Sequence, residues 1–140
     1  MGYQVARENG RAGEAITLRA EINIGLKKGY AGLLQEKDEV ISFLKEEYRK
    51  ALENGGNYIP VGIQVTDIVY AYPSGSGIHT EAEPSLTLFS DKNPLYAVES
   101  DYEWKKAVES LVSKLAERFQ QFRVYVTYMP VEVKIFQKEG

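Results

Sequence analysis

The stretch ITLRAEINIGL, residues 16–26, alternates apolar and polar side chains without interruption. Because successive side chains of a β-strand point to opposite faces, a period of two over this length indicates a strand with one buried face. The polar members are Thr17, Arg19, Glu21 and Asn23, and they suit a face in contact with water. The strand therefore predicts a sheet that is covered on one side only. The apolar members, predicted to point inward, are Ile16, Leu18, Ala20, Ile22, Ile24 and Leu26.

Two later segments change to helical spacing. Over residues 36–53 apolar side chains recur every three or four positions, and acidic residues in the first turn complement the helix dipole. Ser100 and Glu103 have the spacing of a capping box, and an apolar stripe follows over residues 104–119. We therefore predict two amphipathic helices, one over residues 36–53 and one that begins after Ser100.

The remaining β-rich segments are less regular. Residues 58–72 alternate, but the phase slips near Thr66 and Asp67, which indicates a β-bulge or the end of a strand. Residues 73–84 are interpreted as a connector, and a brief strand is expected over residues 85–89. The last β region covers residues 122–136. Its Pro130 lacks a backbone donor, and this predicts an edge strand or a bend there.

The resulting order β-α-β-β-α-β resembles the ferredoxin-like superfold over about residues 14–137. The resemblance implies an α+β two-layer sandwich whose antiparallel sheet has the strand order 4-1-3-2. It depends on element order alone, and no family motif is matched; PII-like and dimeric α/β-barrel proteins are the nearest analogies. We expect residues 1–13 to form a flexible N-terminal arm and residues 14–140 to form a single α+β domain.

Composition excludes several kinds of protein. The 140 residues include no cysteine, so disulfides and thiolate metal sites are ruled out. The formal net charge of −3 argues against a nucleic-acid partner. The longest apolar runs are only a few residues, so no membrane association is expected. The predicted location is cytoplasmic.

Three short segments offer candidate ligand-binding residues. Lys27 and Lys28 lie in a glycine-rich loop that could hold an anion, and Ser76 lies in the segment SGSG. His79 is the only histidine, and Glu81 and Glu83 follow it at alternate positions. In an extended chain these three side chains would project to one side. A single histidine argues against a structural metal site, so neither a metal nor a cofactor is predicted.

Ten tyrosines are many for a chain of this length. Tyrosine is favoured at interfaces because it combines a large apolar ring with a hydrogen-bonding tip. Phe89, Tyr125 and Phe136 are expected on the uncovered face, and Tyr70 and Tyr72 join them if the bulge is present. These residues predict a homo-oligomer formed through the open sheet face or an edge strand.

The sequence assigns no specific activity. The leading interpretation is a small oligomeric module that binds a small-molecule or anionic ligand, or a partner, without catalysis. The alternative is a small enzyme whose site forms between subunits. In that case His79, with Glu81 or Glu83, would supply acid–base or metal chemistry.

Overall fold

The computed structural model describes residues 2–25 and 36–139. It contains two helices, one long hairpin and several short strands. The elements are β1 (Tyr3–Val5), β2 (Arg7–Glu8), β3 (Arg11–Ala12), β4 (Glu14–Gly25), α1 (Lys37–Glu53), β5 (Gly62–Ser74), β6 (Gly77–Asp91), α2 (Asp101–Arg118), β7 (Tyr125–Lys134) and β8 (Phe136–Lys138).

The main sheet has four strands in the order β5-β6-β4-β7, and every neighbouring pair is antiparallel. Two small ribbons accompany it, one formed by β1 with β8 and one by β2 with β3. An α+β protein with an antiparallel sheet and two helices is therefore confirmed. Within the N-terminal arm lie three short strands, β1, β2 and β3.

The core lies between one face of the main sheet and the two helices. Ala20, Ile22 and Ile24 of β4 are buried, as are Leu86 and Leu88 opposite them on β6. Both helices contribute to the same cluster. Their buried side chains, with Phe119 at the end of α2, are Val40, Leu44, Trp104, Val108, Leu111, Leu115 and Phe119.

Strand β4 alternates as predicted, but its first apolar residue is not buried. Ile16 is 71% exposed, although it shares the face of Ala20 and Ile22. The prediction for Ile16 is wrong because the buried cluster of helices and sheet does not extend to the start of this strand. Leu26 lies outside the described residues.

Both predicted helices are confirmed, as is the cap of the second. The Ser100 side chain accepts a hydrogen bond from the Glu103 backbone amide at 3.2 Å, which satisfies a donor at the start of α2. After α1, Gly55 adopts a positive φ of 73°, which glycine tolerates without steric cost. Within the described residues, neither helix has the length and apolar character needed to cross a membrane.

The expected connector over residues 73–84 is instead part of a long hairpin. β5 and β6 pair from Gly62 with Phe89 to Ser74 with Gly77, so that Gly75 and Ser76 form a two-residue turn. Gly77 has a φ of 130°, a conformation that favours glycine. The prediction failed because this part of the hairpin is exposed on both faces, and its polar sequence resembles a loop.

The bulge expected near Thr66 and Asp67 is also absent, because the pairing of β5 with β6 continues through them without a slip. Tyr70 and Tyr72 nevertheless lie on the open face, since they share the parity of Thr66 rather than that of the core-packed Ile63. The apolar side chains change face because the buried cluster of helices and sheet does not reach this end of the strand.

β7 is an edge strand of the main sheet, as Pro130 predicted. Pro130 pairs with Leu18 in an unbroken register, so no bend is needed to accommodate it. Elsewhere on the open face, Phe89 lies against Gly62, its partner in the register. A methyl group at position 62 would overlap the Phe89 ring, which explains the glycine there.

Candidate functional site

A groove of about 750 Å³ opens on the uncovered side of the main sheet, where β4 ends at Gly25. One wall is the outer part of the β5–β6 hairpin. The other wall is the segment 121–125, which connects α2 to β7. A pocket of this size is within the range that holds a small organic ligand.

The hairpin wall is built from side chains that the register places directly opposite one another. Ile68 faces Glu83, Tyr70 faces Glu81, and Tyr72 faces His79. Because alternate residues of each strand share a face, these pairs form three successive rungs on the open side. The β-hairpin therefore gathers aromatic rings and carboxylates that are far apart in the sequence.

Glu81 is the centre of the polar contacts on this wall. The Tyr70 hydroxyl donates a hydrogen bond to Glu81 Oε2 at 2.6 Å, and the Tyr72 hydroxyl lies 3.5 Å from Oε1. The bond to Glu81 raises the pKa of Tyr70 to about 12, with smaller contributions from burial and nearby negative charge. At neutral pH Tyr70 is therefore a neutral hydrogen-bond donor.

We expect Glu81→Gln to lower the pKa of Tyr70 from about 12 toward its ordinary value of 10.0, because the bond to the carboxylate is the largest cause of the shift. This bond favours the protonated phenol. Its contribution to stability is therefore complete below pH 10.0 and is lost as the pH rises through about 12. Phenolate absorbance during an alkaline titration measures the change, and Tyr70→Phe identifies the transition. Equal Tyr70 midpoints in the wild type and the Glu81→Gln variant would contradict the expectation.

Aromatic rings continue along the same wall. The Tyr70 and Tyr72 ring centroids are 6.2 Å apart, and the Tyr72 ring stacks on His79 at 5.6 Å with an interplanar angle of 14°. Phe122 and Tyr125 add two exposed rings from the opposite wall. Such rings suit either a stacked planar base or a cation over the ring face.

The opposite wall is tied to the end of β4 by one side chain. Gln121 Oε1 accepts a hydrogen bond from the Gly25 backbone amide at 3.1 Å, and Gln121 Nε2 donates to the Phe119 carbonyl at 2.9 Å. Gln120, with a positive φ of 52°, turns the chain at the end of α2. The segment that carries Arg123 and Tyr125 is thereby fixed beside the sheet.

The base of the groove includes a second oriented amide. The Thr87 hydroxyl donates to Asn23 Oδ1 at 2.7 Å, and Asn23 lines the groove beside Ile24 and Gly25. With its oxygen engaged in this bond, the amide nitrogen of Asn23 retains its donors. The side chain is therefore a fixed polar group at the floor of the site.

The charges of the described lining residues are divided between the two walls. Glu81 and Glu83 lie on the hairpin, and Arg123 lies on the facing segment. In residues 2–25 and 36–139 no group of three or more histidine and acidic side chains is arranged to hold a metal ion. The site is therefore suited to an organic ligand that carries charges of both signs.

A second, smaller cavity of about 190 Å³ lies between α1 and α2. The Tyr48 hydroxyl there donates to the Ile59 carbonyl at 2.6 Å, and Lys114 Nζ lies 3.5 Å from a Glu47 carboxylate oxygen. Three of its polar side chains, those of Tyr48, Glu47 and Lys114, thus have partners within the protein. The larger groove is the better candidate for a functional site.

The predicted ligand-binding residues fall in different places. Glu81 lines the groove, and His79 stacks on Tyr72 at the outer end of the same wall. Ser76 occupies the hairpin turn, where its hydroxyl lies 3.4 Å from that of Ser74. Lys27 and Lys28 lie outside the described residues.

Several lining residues were not anticipated from the sequence. The sequence indicates Tyr70 only as an interface residue, and it does not mark Asn23, Gln121 or Arg123 as site residues. The segment SGSG between two β-rich runs was the available signal, since a two-residue turn there pairs Tyr70 with Glu81. No comparable local signal marks Arg123, which reaches the groove only through the path of the chain after α2.

The chain resembles known proteins at the level of a family. The family profile described as SAM lyase matches residues 15–137, which include the main sheet, both helices and the groove. A search of curated proteins finds no match.

Two solved structures share the fold. One is a phage SAM lyase in complex with S-methyl-5′-thioadenosine; it is 20% identical, with a TM-score of 0.56, over 88% of this chain and 89% of that one. The other is a phage SAM lyase in its apo state, 18% identical with a TM-score of 0.58, over 98% of this chain and 99% of that one.

These findings correct two expectations drawn from the sequence. The expectation that no family pattern is present is wrong, because the profile extends over most of the chain. The interpretation as a non-catalytic module of unassigned function is also wrong, because a lyase is an enzyme. On the evidence of the profile match, the chain belongs to the SAM lyase family.

Proposed function

We propose that this protein is a lyase that cleaves S-adenosylmethionine (SAM) and releases S-methyl-5′-thioadenosine. The observation that carries the proposal is the family match over residues 15–137. The groove supports it independently, because its size and its mixture of rings and charges suit a charged nucleoside.

The identity of the product indicates which bond breaks. The sulfur of SAM is a cation bonded to a methyl group, to the adenosyl C5′ and to Cγ of the amino-acid chain. S-methyl-5′-thioadenosine retains the first two bonds, so the bond between sulfur and Cγ is the one that breaks. Its electron pair remains on sulfur, which becomes neutral.

The electrons that Cγ loses are replaced most simply by the substrate itself. One oxygen of its carboxylate attacks Cγ as sulfur leaves, which forms a five-membered lactone and transfers no proton. The alternative, elimination, would require a base able to remove an unactivated Cβ proton. The described groove offers carboxylates and tyrosine hydroxyls, which are weak bases for that purpose. A folded, correctly oriented substrate is therefore the main requirement, and orientation alone can supply much of the rate.

Each part of the groove has a role in this scheme. The rings of Tyr70, Tyr72 and Tyr125 offer surfaces for the adenine base and the sulfonium cation. Glu81, held by Tyr70, faces the positive charges of the substrate. Since the charge on sulfur disappears during the reaction, the carboxylates of Glu81 and Glu83 serve mainly to bind and orient the substrate.

The direct test is to incubate the purified protein with SAM and to follow both products by mass spectrometry. We expect S-methyl-5′-thioadenosine and the lactone to form in equal amounts, faster than in a protein-free control. A rate equal to that of the control would overturn the proposed function. An alkene product with normal release of S-methyl-5′-thioadenosine would replace the lactone route by elimination.

We further propose that the protein is a homo-oligomer that associates through its open sheet face or an edge strand. The support is for the edge-strand route: on the outer hairpin Val69 is 75% exposed and Ile78 is 79% exposed, both on the face opposite to that of Tyr70. Large exposed apolar side chains of this kind favour a protein contact. Light scattering is expected to give a mass above the monomer's 15.8 kDa, and a smaller mass for Val69→Glu. A monomeric wild type would contradict this.

Two finer expectations are retained as proposals. A ferredoxin-like sandwich is supported by the strand order, which is 2-3-1-4 when only the four strands of the main sheet are counted. An experimental structure with a helix on the open face would contradict it. A cytoplasmic location is supported by the proposed substrate, which cells make and use in the cytoplasm, and cell fractionation tests it.

A further inference from the structure

We propose that Arg123 determines substrate specificity by binding the α-carboxylate of SAM. This inference rests on the proposed function. The inference assigns to the proposed reaction a residue that recognises the amino-acid part of the substrate and not the nucleoside part. The positions of the charged side chains in the groove support it, because the substrate can pair with all of them and the product cannot.

Arg123 lies on the wall that faces the acidic hairpin. Among the lining residues that the structure describes, it is the one cationic side chain, whereas Glu81 and Glu83 are on the opposite side. Its backbone is held near β4 because Gln121, two residues earlier, bonds to Gly25 and to the Phe119 carbonyl. The groove therefore presents a negative wall and, facing it, a positive side chain on a segment whose backbone is held beside β4.

The substrate has the matching distribution of charge. SAM carries a sulfonium cation, an ammonium cation and one carboxylate, so two positive centres can face the glutamates while the carboxylate faces an arginine. A guanidinium binds a carboxylate through two directed N–H bonds, which fixes its orientation. Each carboxylate oxygen keeps a lone pair outside these bonds, so a carboxylate held by Arg123 can still direct one oxygen at Cγ.

The product cannot form this contact with Arg123. S-methyl-5′-thioadenosine lacks the amino-acid chain and is uncharged, so it makes no ion pair with Arg123. The arginine should therefore favour the binding of substrate while leaving the affinity for the product unchanged. A residue that merely maintained the shape of the groove would affect both ligands.

The test compares the two ligands in the wild type and in Arg123→Ala. We expect KM for SAM to rise by roughly 10- to 150-fold, since a charge-assisted hydrogen bond contributes about 1.5–3 kcal/mol. The Kd for S-methyl-5′-thioadenosine should change less than about twofold. Arg123→Lys should recover part of the loss, and Arg7→Ala, an exposed arginine outside the groove, should behave as the wild type.

A substrate analogue provides a second measurement. Decarboxylated SAM keeps the sulfonium and the nucleoside but lacks the carboxylate. The wild type should bind it less tightly than SAM, whereas Arg123→Ala should bind the two about equally, because the partner of the carboxylate has been removed.

Three results would overturn the inference. One is an equal loss of affinity for SAM and for S-methyl-5′-thioadenosine in Arg123→Ala. Another is unchanged SAM kinetics in that variant. The third is a loss of affinity for SAM, with unchanged affinity for S-methyl-5′-thioadenosine, in the Lys27→Ala/Lys28→Ala double variant and not in Arg123→Ala. A wild type that does not cleave SAM would instead refute the proposed function, so the two failures are distinguishable.

Discussion

Replacing Glu81 with glutamine is expected to lower kcat/KM for SAM by roughly 10- to 150-fold. The substitution removes a negative charge without changing the size of the side chain. Glutamine can still accept the hydrogen bond that Tyr70 donates at 2.6 Å, so the wall should keep its geometry. The loss should therefore come from weaker binding and orientation of a cationic substrate.

Steady-state kinetics with SAM measures this effect, and Glu132→Gln is the matched control. Glu132 lies on β7, is exposed and does not line the groove. The control should retain wild-type kcat/KM. Equal kcat/KM for Glu81→Gln and the wild type would remove Glu81 from the site.

Replacing Phe119 with alanine is expected to reduce the free energy of unfolding by about 3–5 kcal/mol. Phe119 has no exposed surface, and its ring meets that of Phe43 edge to face, with centroids 5.7 Å apart. Truncation would leave a cavity at the meeting point of both helices and the sheet. It would also loosen the residue whose carbonyl anchors Gln121, so the groove should be affected as well.

Urea unfolding followed by far-ultraviolet circular dichroism measures the change. Phe136→Ala is a suitable control, because that ring is 59% exposed and should alter stability by about 0.5 kcal/mol. A loss for Phe119→Ala no larger than that of the control would show that this ring does not stabilise the core.

The regular parts of the fold were predictable because they bury one face. Ala20, Ile22 and Ile24 repeat with period two, and the stripe after Ser100 repeats with the helical period, so local pattern and tertiary burial agree. Pro130 also predicted correctly that its strand lies at an edge of the sheet, since a residue without a backbone N–H donor is tolerated there.

The hairpin was not predictable by the same reasoning, because the buried cluster of helices and sheet does not extend over its outer half. From Asp67 to Pro84 the side chains line the groove or face solvent instead of packing in the core, so their sequence pattern resembles a bulge followed by a loop. Pro84 is compatible with a strand there because β4 pairs with β6 only as far as Ser85.

The site was only partly predictable, because it is assembled by pairing across long separations. The spacing from His79 points to Glu81, but the partner of Glu81 is Tyr70, which only the hairpin register reveals. Arg123 reaches the groove from the other end of the chain. The charged residues of the proposed chemistry therefore form no contiguous motif.

The unbroken register of the β5–β6 hairpin restricts how this ribbon can vary in length. Deleting a single residue from one strand would rotate every side chain beyond it to the opposite side and separate Tyr70 from Glu81. Removing one residue from each strand, such as Pro73 together with Ile78, would preserve the facing partners. Homologous hairpins should therefore differ in length by even numbers of residues, with the tyrosine and the glutamate kept at equal distances from the turn.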